Sequence, residues 1–399
     1  IEEALAAFGH AVKLDGWWPG ARLAFARGYA EGGDQAGALA EYQRAVEIAP
    51  GSVEAQLALA GGLEEQGDGE QALEIYQTAV QAHPGSAVAN LALARAWQDR
   101  GRSDLAEESY RQAMAMVPGD AEAYVGLANL IVRQARYDEA ETLLREALRI
   151  DHGNPAAYLS LGDLLARQAR HAEALDAYEG AIKGSAEDAT GVLLTAYTGL
   201  ARIYRNLGEI EQAEENLREA MALEQVIPAP EAVASAPDTA LAVAGTSFTA
   251  TTVTGAQVAS EDVTASPIAP FLQLADLYEE QNRPDDVEQT LLSALERGGR
   301  EAAQPGLAVR QALARFYQYR GHGDKALAQL RLAVEENPES MAVLASYAAQ
   351  LRLSGREELA KEAYRQAEAA AEPSGPGYGA LAAARQVLGQ DEEAAALLD

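Results

Sequence analysis

The chain has 399 residues and carries 61 acidic against 31 basic side chains, a formal charge of -30, the opposite of what neutralising phosphates requires. That balance excludes nucleic acid as the main ligand, disfavours anionic membrane surfaces and favours solubility or a basic partner. Cysteine is absent, so a disulfide framework, a thiolate nucleophile and a cysteine metal site are ruled out, and no stretch reaches the roughly 18 to 20 apolar residues that membrane insertion needs.

The chain opens on Ile1-Glu2-Glu3, without Met and without a charged leader, which reads as a processed or truncated product. Residues 1–18 then fit a partial repeat, a second helix alone, with Ala4, Phe8 and Ala11 in register with Ala38, Tyr42 and Ala45. Trp17 and Trp18, just before Pro19, are expected to pack over the first helix.

Across 19–226 one period recurs. Tyr42, Tyr76, Tyr110, Leu144 and Tyr178 follow one another at steps of 34. Each has alanine four residues before it (Ala38, Ala72, Ala106, Ala140, Ala174) and three after it (Ala45, Ala79, Ala113, Ala147, Ala181). Those spacings put alanine, a large apolar residue and alanine on one helical face. An upstream helix keeps the same phase through Leu59-Ala60, Leu93-Ala94, Leu127-Ala128 and Leu161-Gly162. Gly33, Gly67 and Gly101 separate the two helices, and Pro50, Pro84 and Pro118 end the second one. The unit is a helix-turn-helix in tandem, and its tyrosines are expected to pack in the core.

Tyr158-x2-Leu161-Gly162-x2-Leu165, followed by Ala174-x3-Tyr178 and Ala181, resembles the tetratricopeptide pattern W-x2-L-G-x2-Y, then A-x3-F, A and P. The resemblance implies an all-α, right-handed superhelical solenoid of tandem helix-turn-helix repeats, nine full and two partial, with one non-repeat insert. It also implies a protein that holds other proteins.

The step lengthens to 39 between Tyr178 and Leu217 and again between Leu291 and Leu330, so short insertions are expected in the turns near 185–191 and 298–306. Between Leu217 and Leu291 it is 74, one repeat plus 40 residues. Residues 227–267 are rich in Ala, Thr, Ser and Pro, within a stretch that has no Lys or Arg between Arg218 and Arg283. As a linker they would divide six repeats at 19–226 from three at 268–374. As β-prone segments, 239–243 and 248–253 could pair as a hairpin or extend a partner's sheet. A partial repeat at 375–399 closes the chain.

In the family resembled, the first helix of each pair lines the concave groove. Leu23, Leu57, Leu91, Val125 and Leu159 then share one groove position, beside Arg27, Arg95, Asn129, Asp163 and Arg202. An apolar rail with mixed charges suits an extended peptide or a partner helix; equally, the rail could complete packing between neighbouring helices. The Lys and Asn set that clamps chaperone tails in other members is missing, since Asn129 stands there without lysine.

His10, His83, His152, His171 and His322 are scattered over different repeats, and no phosphate loop, nucleophile elbow or dinucleotide fingerprint occurs. The expectation is a non-enzymatic protein without metal or cofactor. Both ends are uncapped, the chain stopping on Leu397-Leu398 in another second helix. Either the sequence is a window cut from a longer array, or the ends dock head to tail on neighbouring copies, which makes Ala4, Phe8 and Ala11 at one end and Leu381, Leu397 and Leu398 at the other candidate surfaces for self-association. Three readings follow: a scaffold holding a peptide or partner helix, a subunit assembling head to tail into a filament, or the non-catalytic part of a larger enzyme. The Ala-rich, Arg-over-Lys composition points to a bacterial source, and the insert leans toward export, although a cytoplasmic array would look alike.

Overall fold

The computed structural model describes residues 9–10, 18–186, 189–223, 268–298 and 303–370, and among them are eighteen helices and no strand. They form two compact units, divided after Ala186. The first unit holds α1 (Pro19–Glu31), α2 (Gln35–Ile48), α3 (Val53–Glu65), α4 (Gly69–Ala82), α5 (Ala87–Asp99), α6 (Ser103–Met116), α7 (Ala121–Val132), α8 (Tyr137–Ile150), α9 (Pro155–Arg167) and α10 (His171–Gly184). The second holds α11 (Thr190–Leu207), α12 (Ile210–Leu223), α13 (Ala269–Glu280), α14 (Pro284–Gly298), α15 (Ala303–Tyr319), α16 (Gly323–Glu336), α17 (Met341–Leu353) and α18 (Glu357–Ala369).

Each odd-numbered helix pairs with the even-numbered one after it, and the pairs stack in chain order within each unit. The expected stripe is the packing element: Ala174, Tyr178 and Ala181 are all fully buried, as are Ala140, Leu144 and Ala147. Alanines let the axes approach, and the ring or leucine fills the space between them. In the first unit α1 touches α3, α3 touches α5, α5 touches α7 and α7 touches α9. First helices that meet their counterparts two elements on form the inner layer of a curved stack.

Ser52, Ser86, Asp120 and Asn154 start α3, α5, α7 and α9, each accepting from a backbone N–H two or three residues on. The turn inside each pair uses one left-handed residue: Gly33, Gly67, Gly101, Ala135 and Ala169 in the first unit, then Gly208, Asn282, Gly321 and Gly355. The next residue's N–H reaches back to the preceding helix, as from Asp68 to the Leu63 carbonyl at 2.9 Å and from Arg170 to that of Leu165 at 2.9 Å. This closure is the Schellman arrangement.

The two five-residue insertions are not spent in the turns as expected. Instead α11 runs for 18 residues and α15 for 17, against 12 or 13 in the first helices of the first unit. Each starts about one turn early, where added residues gain helical hydrogen bonds that a longer loop would leave to water.

The second helices carry a repeating ion-pair ladder. Arg136 bonds Glu107 at 2.9 Å and Glu139 at 2.6 Å, and Arg170 bonds Glu141 at 2.8 Å and Glu173 at 2.6 Å. The same rung recurs in the second unit, where Arg283 bonds Glu214 at 3.2 Å and Asp286 at 2.7 Å. Residues 227–267 lie outside the described residues, yet α12 packs directly on α13. One core joins Ala213 and Leu217 to Phe271, Leu291 and Leu313. Repeat six therefore stacks with repeats seven and eight in the second unit.

Candidate functional site

The inner layer of the first unit has one equivalent position per repeat, each just after the small residue of the Leu-Ala mark: Arg27, Gly61, Arg95, Asn129 and Asp163. Arg27 donates to Glu54 at 3.0 Å, and Arg95 bonds Glu122 in the same way, each reaching from one first helix to the next. Asp163 accepts a hydrogen bond from the Tyr178 hydroxyl at 2.6 Å, and Asn129 is exposed. Arg202 belongs to α11 of the second unit, where Asp276 and Arg315 hold the same position on α13 and α15. Asp276 is open to solvent at its surface, but the surrounding protein raises its carboxyl pKa against the pull of Arg205 and Arg315.

The apolar rail is mostly packed away. Leu23, Leu91 and Val125 are 2%, 4% and 8% exposed, held between neighbouring helices, while Leu57 and Leu159 are half-buried. Ala4, Phe8, Ala11, Leu381, Leu397 and Leu398 lie outside the described residues.

The rungs of the inner layer alternate, and a hollow opens where one is missing. Repeat two has Gly61 where repeats one and three have arginine, and repeat three has Val88 where repeats two and four have glutamate. Between α1, α3 and α5 this leaves an open concavity of about 700 Å³, bounded by Arg27, Tyr42, Leu57, Gly61, Glu65 and Val88. Val88 is 61% exposed on its edge. A β-carbon at Gly61 would meet only the Tyr76 hydroxyl, at 4.0 Å, so the glycine keeps the floor open.

Charge along this groove is graded. Glu31, Glu65 and Asp99, one turn beyond the rung position, are exposed and make no ion pair among the described residues. The last turns of α1, α3 and α5 contain no basic residue. Repeats four and five instead carry Arg133 and Arg167 at the equivalent place. The tyrosine hydroxyls under the groove register this field: burial raises the Tyr42 pKa, Arg27 opposes it, and Glu65 and Glu31 add to it. Tyr76, which donates to Glu64 at 3.1 Å, is raised in the same sense, by burial and then by that carboxylate.

Sequence reading found the arginine rungs but missed their acidic partners, the gap at Gly61, and Asp276 with Arg315. The signal was available: the residue after each Leu-Ala mark is the rung position, and its partner stands 27 residues on. No group of three or more His, Asp or Glu among the described residues is arranged to hold a metal, and no described helix is long and apolar enough to cross a membrane.

The tetratricopeptide repeat family model matches residues 63–109 and 98–164, and a second model of that repeat matches 193–227. Residues 63–164 and 193–227 are tetratricopeptide repeats. Among solved structures, this repeat protein is similar to the human IFIT1 dimer with PPP-AAAA, at 15% identity and a TM-score of 0.52, over 89% of this chain and 73% of that one. It is also similar to PilF of Pseudomonas aeruginosa, at 19% identity and a TM-score of 0.43, over 52% of this chain and 93% of that one. At 15% identity the likeness to IFIT1 speaks for the fold alone. No curated protein matches the sequence.

Proposed function

We propose that this tetratricopeptide array is a non-enzymatic interaction scaffold that binds a peptide or partner helix along the inner layer of its first unit. The observation that carries the reading is the hollow at Gly61, an opening of about 700 Å³ set where the ladder of rungs is interrupted. Elsewhere on this face Arg27–Glu54 and Arg95–Glu122 tie neighbouring first helices together, so they occupy the groups a ligand would use. Between them lie exposed Val88, half-buried Leu57 and glycine, a surface that accepts an apolar side chain without displacing a bonded partner. Desolvating Leu57 and Val88 would supply the driving force, at roughly 25 cal/mol per Å² of apolar area covered.

A library of random short peptides panned against the full chain tests this. Peptides recovered on the native protein are expected to lose binding to a Gly61→Leu variant, whose new side chain fills the hollow, and to keep it with Glu108→Arg on the exposed face of α6. Recovered peptides indifferent to Gly61→Leu would refute the groove.

A further inference from the structure

We propose that the occupant of this groove is a basic segment of a partner protein, its Lys and Arg side chains lying along repeats one to three and one bulky apolar side chain seated over Gly61. The proposal rests on the groove reading above and assigns it a ligand chemistry.

Two separate features of the inner layer point to cations. The first is which charges are already paired. Arg27 and Arg95, the basic groups of the rung position in these repeats, are bonded to Glu54 and Glu122. What remains unpaired across α1, α3 and α5 among the described residues is Glu31, Glu65 and Asp99, one exposed carboxylate per repeat. The second is where those carboxylates stand. Each lies at the C-terminal end of its helix, where the helix dipole already concentrates partial negative charge. A helix end ordinarily draws lysine or arginine there, yet the last turns of α1, α3 and α5 have none. Three successive helix ends thus present carbonyl dipoles and carboxylates together; Arg100, which caps α5, is spent on Glu64 and the Ala96 carbonyl and not on Asp99, so a cationic ligand would complement both.

The apolar part fixes register. Glu65 lines the hollow, and Glu31 and Asp99 hold the equivalent position one repeat before it and one repeat after it, so an apolar anchor over Gly61 would have an acidic group in its own repeat and in each neighbouring one. The reversal to Arg133 and Arg167 in repeats four and five ends the acidic stretch and disfavours a basic segment further along. The overall charge of -30 adds long-range attraction that speeds encounter with a cationic partner.

The test pans random short peptides against the full native chain, against a triple variant Glu31→Lys, Glu65→Lys, Asp99→Lys, and against Gly61→Leu. The three lysines are introduced at helix C-terminal ends, where cations are favoured, so the charge-reversed protein is expected to fold. The native chain is expected to enrich peptides carrying Lys or Arg around one large apolar residue. A synthetic peptide of that kind, followed by fluorescence anisotropy, is expected to bind about tenfold or more weakly to the charge-reversed chain and to weaken with added salt. Enrichment of acidic or neutral peptides that still depend on Gly61 would overturn the basic assignment and leave the groove standing. Peptides insensitive to both variants, or no enrichment at all, would overturn both readings.

Discussion

Arg283 holds Glu214 at 3.2 Å across 69 residues of chain, in the same rung by which Arg170 holds Glu141 at 2.8 Å across 29. Arg218 bonds Glu214 from within α12, as Arg145 bonds Glu141 from within α8. The second-helix ladder therefore keeps its geometry over an interval 40 residues longer than a repeat. On the linker reading of the insert, excising residues 227–266 restores the 34-residue step and should leave the helical signal and the thermal midpoint of the full chain nearly unchanged, because loop length acts on stability only logarithmically. Circular dichroism melts of the two forms check this; loss of cooperative unfolding in the excised form would contradict it.

Ala135 and Ala169 take the left-handed turn with φ of 58° and 57°, where six other described repeats have glycine and one has Asn282. Alanine is strained there by roughly 1 kcal/mol, less the backbone freedom that glycine regains on unfolding. Ala135→Gly and Ala169→Gly are each expected to stabilise the chain by about 0.5 kcal/mol, and Gly67→Ala to destabilise it by about 1 kcal/mol. Urea titration of the three variants measures the sign.

Two glycines on first helices differ in what surrounds them. A β-carbon at Gly126 would run into the ring of buried Tyr110, whereas one at Gly61 meets almost nothing. Gly126→Leu should destabilise by about 2–3 kcal/mol through overpacking, and Gly61→Leu by less than about 1 kcal/mol. Equal losses in denaturant melts would mean that the Gly61 hollow closes in solution.

In the second unit the Glu288 carboxylate accepts from Lys325 at 2.9 Å and from the Tyr317 hydroxyl at 2.7 Å. Lys325, and then Tyr317, hold its carboxyl below the ordinary value of 4.5, while burial and this carboxylate push Tyr317 up to about 12. A depressed carboxyl pKa contributes stability that is present above the ordinary value and lost as pH falls through the folded one; a raised tyrosine pKa contributes stability that is present below 10.0 and lost as pH rises toward about 12. The thermal midpoint should therefore fall below about pH 4.5 and above about pH 10. Tyr317→Phe should make the alkaline fall shallower, and Glu288→Gln should weaken both limbs.

The pair architecture was legible because alanine at fixed offsets from Tyr42 or Tyr178 admits one packing solution, and the structure buries those residues. The left-handed turn was legible at Gly33, Gly67 and Gly101 but not at Ala135 and Ala169, since alanine carries no preference for that conformation and is held there by the surrounding hydrogen bonds. The extra turns of α11 and α15 were hidden because periodicity measures how many residues are added, not whether they coil. The rail of Leu23, Leu91 and Val125 shared its spacing with the groove position, and only the closeness of neighbouring first helices decides that these side chains face inward. The hollow was hidden for a similar reason: it comes from what Gly61 and Val88 fail to contribute, and a missing rung leaves no motif.

Helices in both units pack on the next element and, in the inner layer, on the next but one. Among the described residues, force applied along either stack finds no distant helix to share it. Each unit would yield by peeling single pairs from an end at low tension and would rewind when slack returned, giving the chain the compliance of a spring where a globular domain of similar mass gives a latch.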